Sequence, residues 1–600
     1  MALLILTPVY SFLIFVNIIG YSFLLKKIIK INTSDIFENF IIGALLIIFF
    51  SYFINFFLPL TSIITNIFFL IFTLIGFFSI WNNEIAISYK KAFVLIFFLT
   101  LITFFSKNYN DYELYHIPYM EVLRKFKIIF GLSNLDFRYG HSSVLQNISA
   151  FHFNTLMGNN SYIFFPVLLF LISLNKIFEK IFKTDSIKIF FIGLVSFIFF
   201  AIHGSRFGAL GNDYPSHILA IIAIIYFLEL KSQKQLEDSK IFIFFSLCFV
   251  IIVSKFSLVF YSILAVYLLF NKKLKIIKLL SPIRIFFLLT LTLFFFTKNI
   301  INSSCLIYPI PKLCFETSWS VDKYSYSSPE TISVISSIHV KNYWHSDHLL
   351  NPDVRRDFEL NLLSDDKIYD EYLNLNDHAK KEFLDYHFYN DYLKFKNWSQ
   401  FYFKDSDFYK LLKDVILLNF LLLLIALFLF VKKKKNQLFR LGDTISFIKE
   451  SFFFISFTII CFVLWFINFP QLRYGFSYCL IFFLLPKLFI FNNFEISYVR
   501  ENFNKTIKII FSIILIYVLY ANSMRIYENL NDKDLKSGSS DIVPLYRNHG
   551  YKTLYIDGFE LRQPKYLCSN IEQLCTVFTG RFLDADREIL KTKYNYLLIK

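Results

Sequence analysis

Long hydrophobic runs separated by short lysine-rich stretches dominate the chain. The runs span about 12 to 25 residues without polar alternation, as in IIGALLIIFF. A transmembrane helix needs about 20 apolar residues to cross about 30 Å of hydrocarbon, whereas porin strands alternate apolar and polar residues. The pattern therefore predicts an all-α polytopic membrane protein and excludes a porin-type barrel.

The runs predict about 14 transmembrane helices. They fall at about 2–25, 40–57, 63–81, 92–105, 162–174, 189–202, 214–228, two within 241–270, 285–296, 415–431, 452–468, 476–491 and 509–520. The first run has no basic residue before it and Lys26, Lys27 and Lys30 after it. This is the reverse of a signal peptide and, by the positive-inside rule, places the N-terminus outside.

Six regions follow from this alternation. They are N-terminal transmembrane helices (1–105), an outer catalytic loop with amphipathic helices (106–160), transmembrane helices (161–299), an outer loop domain (300–413), further transmembrane helices (414–520) and a small α/β extracytoplasmic domain (521–600). We expect strands in the last region at YKTLYID and YNYLLIK. We expect the segment SAFHFNTLMG of the outer loop to lie along the membrane interface.

The run 241–270 has basic residues at both ends, so one straight helix cannot place both ends inside. Two short helices joined near Ser254 and Lys255 can, and Lys255 then lies below the outer surface. A charge at that depth is expensive unless it faces protein or a water-filled cavity, so Lys255 is a candidate functional residue. The alternative is a lysine that snorkels to the interface.

Composition agrees with the membrane class and bears on whether the chain binds nucleic acid. Hydrophobic residues make up 56% of the chain and charged residues 18%, with a net charge of +16. The basic residues mostly flank the apolar runs, where the positive-inside rule explains them. We therefore predict no nucleic-acid partner.

The seven cysteines divide by predicted location. Cys248, Cys461 and Cys479 lie in predicted helices, where thiols pack as small apolar groups. Two close pairs lie in predicted outer segments: Cys305 with Cys314, and Cys568 with Cys575. Spacing leaves three connectivities open. We expect the two short-loop disulfides, in an oxidising compartment.

Polar residues that could take part in catalysis or ligand binding gather at the predicted outer ends of helices. The first group is NDYELYH, with Asp111, Glu113, Tyr115 and His116. Asp111 is open to a second interpretation, because Asp before a helix commonly caps its amides. The other groups contribute Arg138, His203, Arg206, Asp213, Lys255, Lys298, Arg473 and Tyr474. An enzyme that cleaves a lipid-linked phosphate needs such a carboxylate to accept a proton and such cations to stabilise the departing phosphate.

At these residues the chain resembles a family of bacterial polytopic membrane proteins that look like glycosyltransferases of the GT-C fold. The resemblance covers about residues 100 to 480. It rests on D-x-x-x-Y-H at Asp111, Tyr115 and His116; on G-L-x-N at Gly131, Leu132 and Asn134 with the later Arg138; on IIVSKFSLVF around Lys255; on SSCLIYPIPKLCF; and on W-F at Trp465 and Phe466 followed by P-x-x-R-Y-G at Pro470, Arg473, Tyr474 and Gly475.

The resemblance implies a transferase that moves a sugar from a polyprenyl-phosphate donor to an extracytoplasmic glycan, lipid or protein acceptor. Asp111 matches the catalytic carboxylate that GT-C enzymes carry in the first outer loop of their conserved module, and Glu113 matches the second acidic position of D-x-E. This chain departs in carrying three helices ahead of that module, so the assignment assumes an N-terminal addition. Some GT-C enzymes use a divalent metal at D-x-E and others do not, so the cofactor stays open.

The expected roles follow from this resemblance. Asp111 is the expected general base and Glu113 its helper or a metal ligand, while Arg138, Arg206, Lys255 and Arg473 bind phosphate. Tyr115, His116 and Asp213 orient donor or acceptor, with His203 and Tyr474 nearby. The expected location is the bacterial cytoplasmic membrane, with the site facing the periplasm or exterior.

Three alternatives accompany this interpretation. His345 and His348 in HSDH are metal-type ligands, although two histidines in a polar loop are more often solvated. An O-antigen ligase or polymerase is also polytopic but does not depend on the early-loop Asp. A flippase or other transporter of lipid-linked oligosaccharide should show repeated halves and midplane charges, neither of which the sequence displays.

Overall fold

The computed structural model describes most of the first two thirds of the chain and shorter stretches beyond. The described residues are 2–82, 97–99, 102, 116–141, 143–155, 157–158, 161–233, 236–320, 328–341, 352–375, 377–402, 409, 412–420, 441–491, 512, 516–524, 527, 551–556, 559–564, 574–575, 589–591 and 597–599.

Helices account for almost all of the regular structure in these residues. In chain order they are α1 (Ala2–Ile29), α2 (Ile36–Phe57), α3 (Ile63–Trp81), α4 (Ile117–Lys125), α5 (Leu132–Leu135), α6 (Val144–Phe151), α7 (Ser161–Lys183), α8 (Ile187–Ile202), α9 (Asp213–Ser232), α10 (Asp238–Ser254), α11 (Ser262–Leu279), α12 (Pro282–Ser303), α13 (Pro329–Val340), α14 (Pro352–Leu362), α15 (Asp366–Leu373), α16 (Asp377–Tyr392), α17 (Phe395–Tyr402), α18 (Leu441–Asn468) and α19 (Phe476–Phe491). Short 3₁₀ turns lie at Phe137–Gly140, Gly204–Ala209, Phe256–Tyr261, Pro311–Leu313 and Leu472–Tyr474.

Seven of the described helices are long and apolar enough to cross a membrane. They comprise Leu6–Ile29, Ile36–Phe57, Ile63–Trp81, Ser161–Lys183, Asp213–Ser232, Pro282–Ser303 and Ser451–Asn468, with shorter apolar segments at Ile187–Ile202, Phe256–Asn271 and Phe476–Leu488. The predicted helical membrane class is confirmed. The predicted passes at 92–105, 415–431 and 509–520 fall wholly or partly outside the described residues, so the count of fourteen stays a prediction.

Short strands are present near the C-terminus. They are β1 (Tyr551–Ile556), β2 (Phe559–Pro564), β3 (Leu574–Cys575), β4 (Ile589–Lys591) and β5 (Leu597–Ile599). Strand β1 pairs antiparallel with β2, which pairs parallel with β3, while β4 and β5 form an antiparallel pair. Strands β1 and β5 fall within the two segments that the sequence predicted as strands.

Three glycines let the N-terminal helices pack closely. A Cβ at Gly20 of α1 would overlap the Phe72 carbonyl of α3, and a Cβ at Gly76 would overlap the Val16 carbonyl of α1. A Cβ at Gly43 of α2 would likewise overlap the Ile18 carbonyl. Small residues at such crossings are typical of membrane helices, where close backbone approach supplies the packing energy.

Ion pairs join the helices at the end of the bundle that carries many of the predicted inner lysines. Lys176 of α7 contacts Asp35 at 2.5 Å, Lys180 contacts Glu229 of α9 at 2.5 Å, and Arg284 of α12 contacts Asp238 of α10 at 2.9 Å. Basic flanking residues thus have a packing role here in addition to the orienting role that the sequence suggests.

The predicted interruption of the run 241–270 is confirmed. Helix α10 ends at Ser254, Lys255 has an extended backbone, and a 3₁₀ turn leads into α11. At 1.5 Å per residue the 17 residues of α10 span about 25 Å, which is less than a full crossing.

The first four residues of the segment expected along the interface, Ser149 to His152, are buried inside the protein, whereas Thr155 is exposed. Every residue of α6 is buried, and so is His152, whose Nε2 lies 3.1 Å from Asn17 Oδ1 of α1. The Tyr10 hydroxyl also donates to the His152 carbonyl. For these first residues the expectation was wrong, because His152 has partners in the bundle rather than in the interface.

Candidate functional site

Lys255 meets Asp213 at the point where α10 is interrupted. The Lys255 ammonium is paired with the Asp213 carboxylate, and their side chains are 8% and 25% exposed. Asp213 is the first residue of α9, where the helix dipole favours a negative charge. Tyr478 of α19 donates to the Ser257 carbonyl at 3.1 Å, which holds the turn after Lys255 in place. Lys255 is thus compensated within the protein and does not need to snorkel.

Arg473 and Tyr474 approach the same pair from a different part of the chain. Lys255 Nζ lies 4.0 Å from the Tyr474 ring centroid, and the Arg473 guanidinium carbon lies 5.0 Å from the same ring. The Arg473 Nε donates to Gln471 Oε1 at 3.0 Å. Two cations therefore flank one aromatic ring, which attracts positive charge through its electron-rich face.

The turn that carries Arg473 is fixed by its close contacts with α18. The Trp465 indole donates to the Gln471 carbonyl at 3.1 Å. Gly475 packs directly against the Trp465 ring, so that a Cβ at this position would overlap it. The W-F and P-x-x-R-Y-G residues of the sequence motif therefore form one packed unit.

His217 supports the same turn from α9. Its Nε2 lies 3.0 Å from the Arg473 carbonyl and its Nδ1 lies 2.9 Å from Ser477 Oγ. Because a carbonyl can only accept, Nε2 carries the proton and Nδ1 accepts from the serine hydroxyl. His217 links the helix that begins with Asp213 to the turn of Arg473.

Arg138 has its own carboxylate partner. Its Nε and one Nη each donate to Asp136 at 3.0 Å, in a side-on pair that is almost buried. His141 follows in the same turn, and its ring centroid lies 5.4 Å from that of Tyr308. Desolvation and the positive charges of Arg138 and Lys255 lower the pKa of His141. The positive charges of Arg138 and Lys255 therefore both act on this imidazole.

His203 and Arg206 lie between α8 and α9. The His203 ring stacks on Phe199, with centroids 4.5 Å apart, and on Tyr214, at 5.8 Å. Arg206 is half-buried in the turn Gly204–Ala209 that leads towards Asp213. His203 therefore packs at the start of α9.

His116 is buried at the start of α4. The Gln146 amide of α6 donates to its Nδ1 at 2.7 Å. Asp111, Glu113 and Tyr115 lie outside the described residues, so their predicted roles stay predictions. The same holds for His345 and His348. Among the residues that the structure describes, no group of three His, Cys, Asp or Glu side chains could hold a metal ion.

The structure contains one of the two expected disulfides. Cys305 and Cys314 are bonded, just beyond the end of α12. Cys568 is not among the described residues, so its bond to Cys575 stays a prediction. Cys248, Cys461 and Cys479 are buried free thiols, as expected for cysteines in helices.

Helices α13 and α17, which lie in the predicted outer loop domain, contact the Arg473 segment. The Tyr402 hydroxyl donates to the Pro470 carbonyl, and Gln471 Nε2 donates to the His339 carbonyl at 3.3 Å. Gln471 therefore bonds both Arg473 and α13, so a displacement of α13 would move a hydrogen-bond partner of the guanidinium.

The sequence-based site list omitted His141, His217 and Gln471. His141 stands in the polar run after Arg138, and His217 stands one helical turn after Asp213. Each position carried a local signal, since residues one turn apart share a helix face. Gln471 within the P-x-x-R motif carried no comparable signal.

The comparisons identify the family. A family described as a domain of unknown function, DUF8201, matches residues 1–328, which is more than half of the chain. The chain belongs to this family. No curated protein and no solved structure matches the chain.

Proposed function

We propose that the chain is an integral membrane glycosyltransferase that moves a sugar from a polyprenyl-phosphate donor to an extracytoplasmic glycan, lipid or protein acceptor. The observation that supports it most is the meeting of Lys255, Asp213, Arg473 and Tyr474 at interrupted membrane helices. Three separated parts of the chain contribute to this site, and its Lys255 side chain is only 8% exposed, an environment in which an uncompensated charge is costly.

The charges suit an anionic ligand. Arg138, Lys255 and Arg473 supply three positive charges, whereas Asp136 and Asp213 supply two negative ones. A phosphate can bind both the Lys255 ammonium and the Arg473 guanidinium, while Lys255 keeps its ion pair with Asp213. Bidentate guanidinium contacts match phosphate oxygens, which gives Arg473 the larger part in orienting the donor.

The transfer step assigns one role to each group. The Asp111 carboxylate accepts the proton of the acceptor hydroxyl as that oxygen bonds to the anomeric carbon of the sugar. The bond from that carbon to the phosphate oxygen breaks, and polyprenyl phosphate leaves with the electron pair. Lys255 and Arg473 stabilise the growing negative charge on the leaving phosphate. Glu113 assists Asp111 or binds a divalent metal, which would add Lewis-acid stabilisation.

The architecture that we propose for this enzyme has fourteen passes, an outer loop domain and a small α/β C-terminal domain. Its location is the bacterial cytoplasmic membrane, with the site facing outward. Cysteine accessibility labelling in intact cells tests the orientation, because a cysteine placed at exposed Lys312 should react with an impermeant reagent.

Reconstitution with a labelled polyprenyl-phosphate sugar tests the function. We expect label in lipid or glycan acceptors from the cells that make the protein. Movement of the labelled lipid across the bilayer without transfer would indicate a transporter instead. Transfer only of a preassembled glycan would indicate a ligase. The Arg356→Lys protein is a matched control, because Arg356 is exposed on α14.

A further inference from the structure

Helix α13 reaches both turns that carry arginines of the proposed phosphate site. Its 12 residues span about 18 Å at 1.5 Å per residue. Ile332 and Ile335 stand in its first half, and His339 stands one turn further along, in its last turn. Residues three and four positions apart share one face of a helix, so these three lie on the same side. This side of α13 contacts two separate parts of the chain.

The first contact is with the loop that the Cys305–Cys314 disulfide closes. Ile332 is 1% exposed and packs with Tyr308 of this loop. The Tyr308 ring also lies against the turn of Arg138, so closely that a Cβ at Gly140 would overlap it. Tyr308 therefore contacts α13 and the Arg138 turn at the same time.

The second contact is with the turn of Arg473. The Gln471 amide donates to the His339 carbonyl, and its oxygen accepts from the Arg473 Nε. Carbonyls in the last turn of a helix lack partners within the helix, so a side chain that bonds one of them anchors that end. Phe466 of α18 packs on Trp398, which belongs to the same apolar cluster as α13. Apolar packing thus supports the junction that Gln471 makes.

Both turns lie beside the Lys255 ammonium. Its charge acts on the His141 imidazole that follows the Arg138 turn, and its Nζ lies 4.0 Å from the centroid of the Tyr474 ring. The three cations come from three separate segments, and like charges repel. A link between the turns is needed to hold these cations at the spacing of one phosphate group.

We propose that α13 is a strap that holds the Arg138 and Arg473 turns at the spacing that binds one donor phosphate, with Tyr308 and Gln471 as its positioning residues. The proposal rests on the proposed transferase function for the identity of the ligand. Tyr308 acts through the Arg138 turn and Gln471 acts through the Arg473 guanidinium, so neither is assigned a contact with the donor. A change at one end of α13 should therefore alter the turn at the other end.

Hydrogen exchange of the purified full chain tests this link without any ligand. The Arg473 turn is reported by the Tyr474 and Gly475 amides, which donate within it at 3.0 and 2.9 Å. Ile332→Ala loosens the far end of α13, so these amides should exchange about tenfold faster. Ile14→Ala makes the same change at a comparably buried position of α1 and should leave their exchange unchanged. Equal rates in Ile332→Ala and wild type would overturn the strap.

A substitution at the other end gives the reciprocal test and leaves the apolar packing intact. Gln471→Glu keeps an acceptor for Arg473 but cannot donate to the His339 carbonyl. We expect faster exchange at the Tyr139 and His141 amides of the opposite turn, which donate at 2.9 and 3.2 Å. Unchanged rates at these two amides would contradict the proposal.

Polyprenyl phosphate binding in native mass spectrometry tests what the strap positions. Ile332→Ala should weaken binding about tenfold through misplaced cations, whereas Ile332→Val, which keeps most of the contact, and Ile14→Ala should bind as wild type does. Wild-type affinity in Ile332→Ala would refute the positioning role. If the wild type bound no polyprenyl phosphate, the proposed function would fail, while the exchange rates would still decide whether α13 links the two turns.

Discussion

Replacing Lys255 by Met should destabilise the protein, and replacing Asp213 by Asn at the same time should restore most of the loss. The two side chains form an ion pair in which Lys255 is almost buried and Asp213 is 25% exposed. Removing one partner of a fully buried pair costs about 3 to 5 kcal/mol, because the other charge stays uncompensated. Water reaches part of Asp213, so we expect a smaller loss of about 1 to 3 kcal/mol. Met fills nearly the same volume as the lysine stem, so packing changes little.

The comparison requires wild type, Lys255→Met, Asp213→Asn and the double variant, each purified in the same detergent. Thermal unfolding followed by tryptophan fluorescence should show a midpoint lowered by about 1 to 2 °C in Lys255→Met and by a smaller amount in the double variant. The coupling energy isolates the pair from effects that each substitution has alone. If Lys255→Met were as stable as the double variant, the unpaired Asp213 carboxylate would carry no cost. The ion pair would then not hold these helices together.

Three further predictions concern the same region and Lys341 at the end of α13. Arg473→Lys should weaken polyprenyl phosphate binding about tenfold in native mass spectrometry, because lysine has no planar group that bonds Gln471 and a phosphate together. The control Arg356→Lys should leave binding unchanged. Equal affinities of Arg473→Lys and wild type would contradict the assignment. Gly475→Ala should cost about 1 to 3 kcal/mol through overlap with Trp465, visible as a lower unfolding midpoint, and an unchanged midpoint would show that the turn relaxes freely. Desolvation lowers the pKa of Lys341 to about 8, so between pH 8 and about 10.5 the unfolded chain binds more protons than the folded one. The unfolding midpoint should therefore rise with pH in that range. Lys341→Met should remove the rise, and a rise that persists in this variant would assign it to another group.

The interruption at Lys255 was predictable because its cause is local. Basic residues at both ends of one apolar run force two passes, and the polar Ser254 and Lys255 mark where the chain can break. Helix ends were predicted less accurately. Helix α12 continues to Ser303, where Ser304 adopts a left-handed backbone with φ of 62° and its N–H bonds the Ile300 carbonyl. Hydropathy does not detect such a cap, because polar residues such as Asn302 are compatible with either helix or loop.

Which side chains pair with each other could not be predicted from the sequence, for a different reason. The pattern placed Lys255, Asp213 and Arg473 at one membrane level, and the structure brings them together. The pairing of Lys255 with Asp213 depends on which helices are neighbours, and one sequence does not contain that information. The surroundings of Lys298 show the same limit, because Tyr52 and Asn147 reach it from remote helices.

Sugar transfer by the purified, reconstituted protein is the most direct test of the proposed activity. Asp111→Asn should be compared with wild type and with Asp353→Asn, which changes an exposed carboxylate on α14. The account predicts transfer of labelled sugar from polyprenyl phosphate by wild type and Asp353→Asn, and a loss of about 10² to 10⁴ in rate for Asp111→Asn, because an amide cannot accept the proton of the acceptor. A rate for Asp111→Asn close to that of wild type would contradict the account.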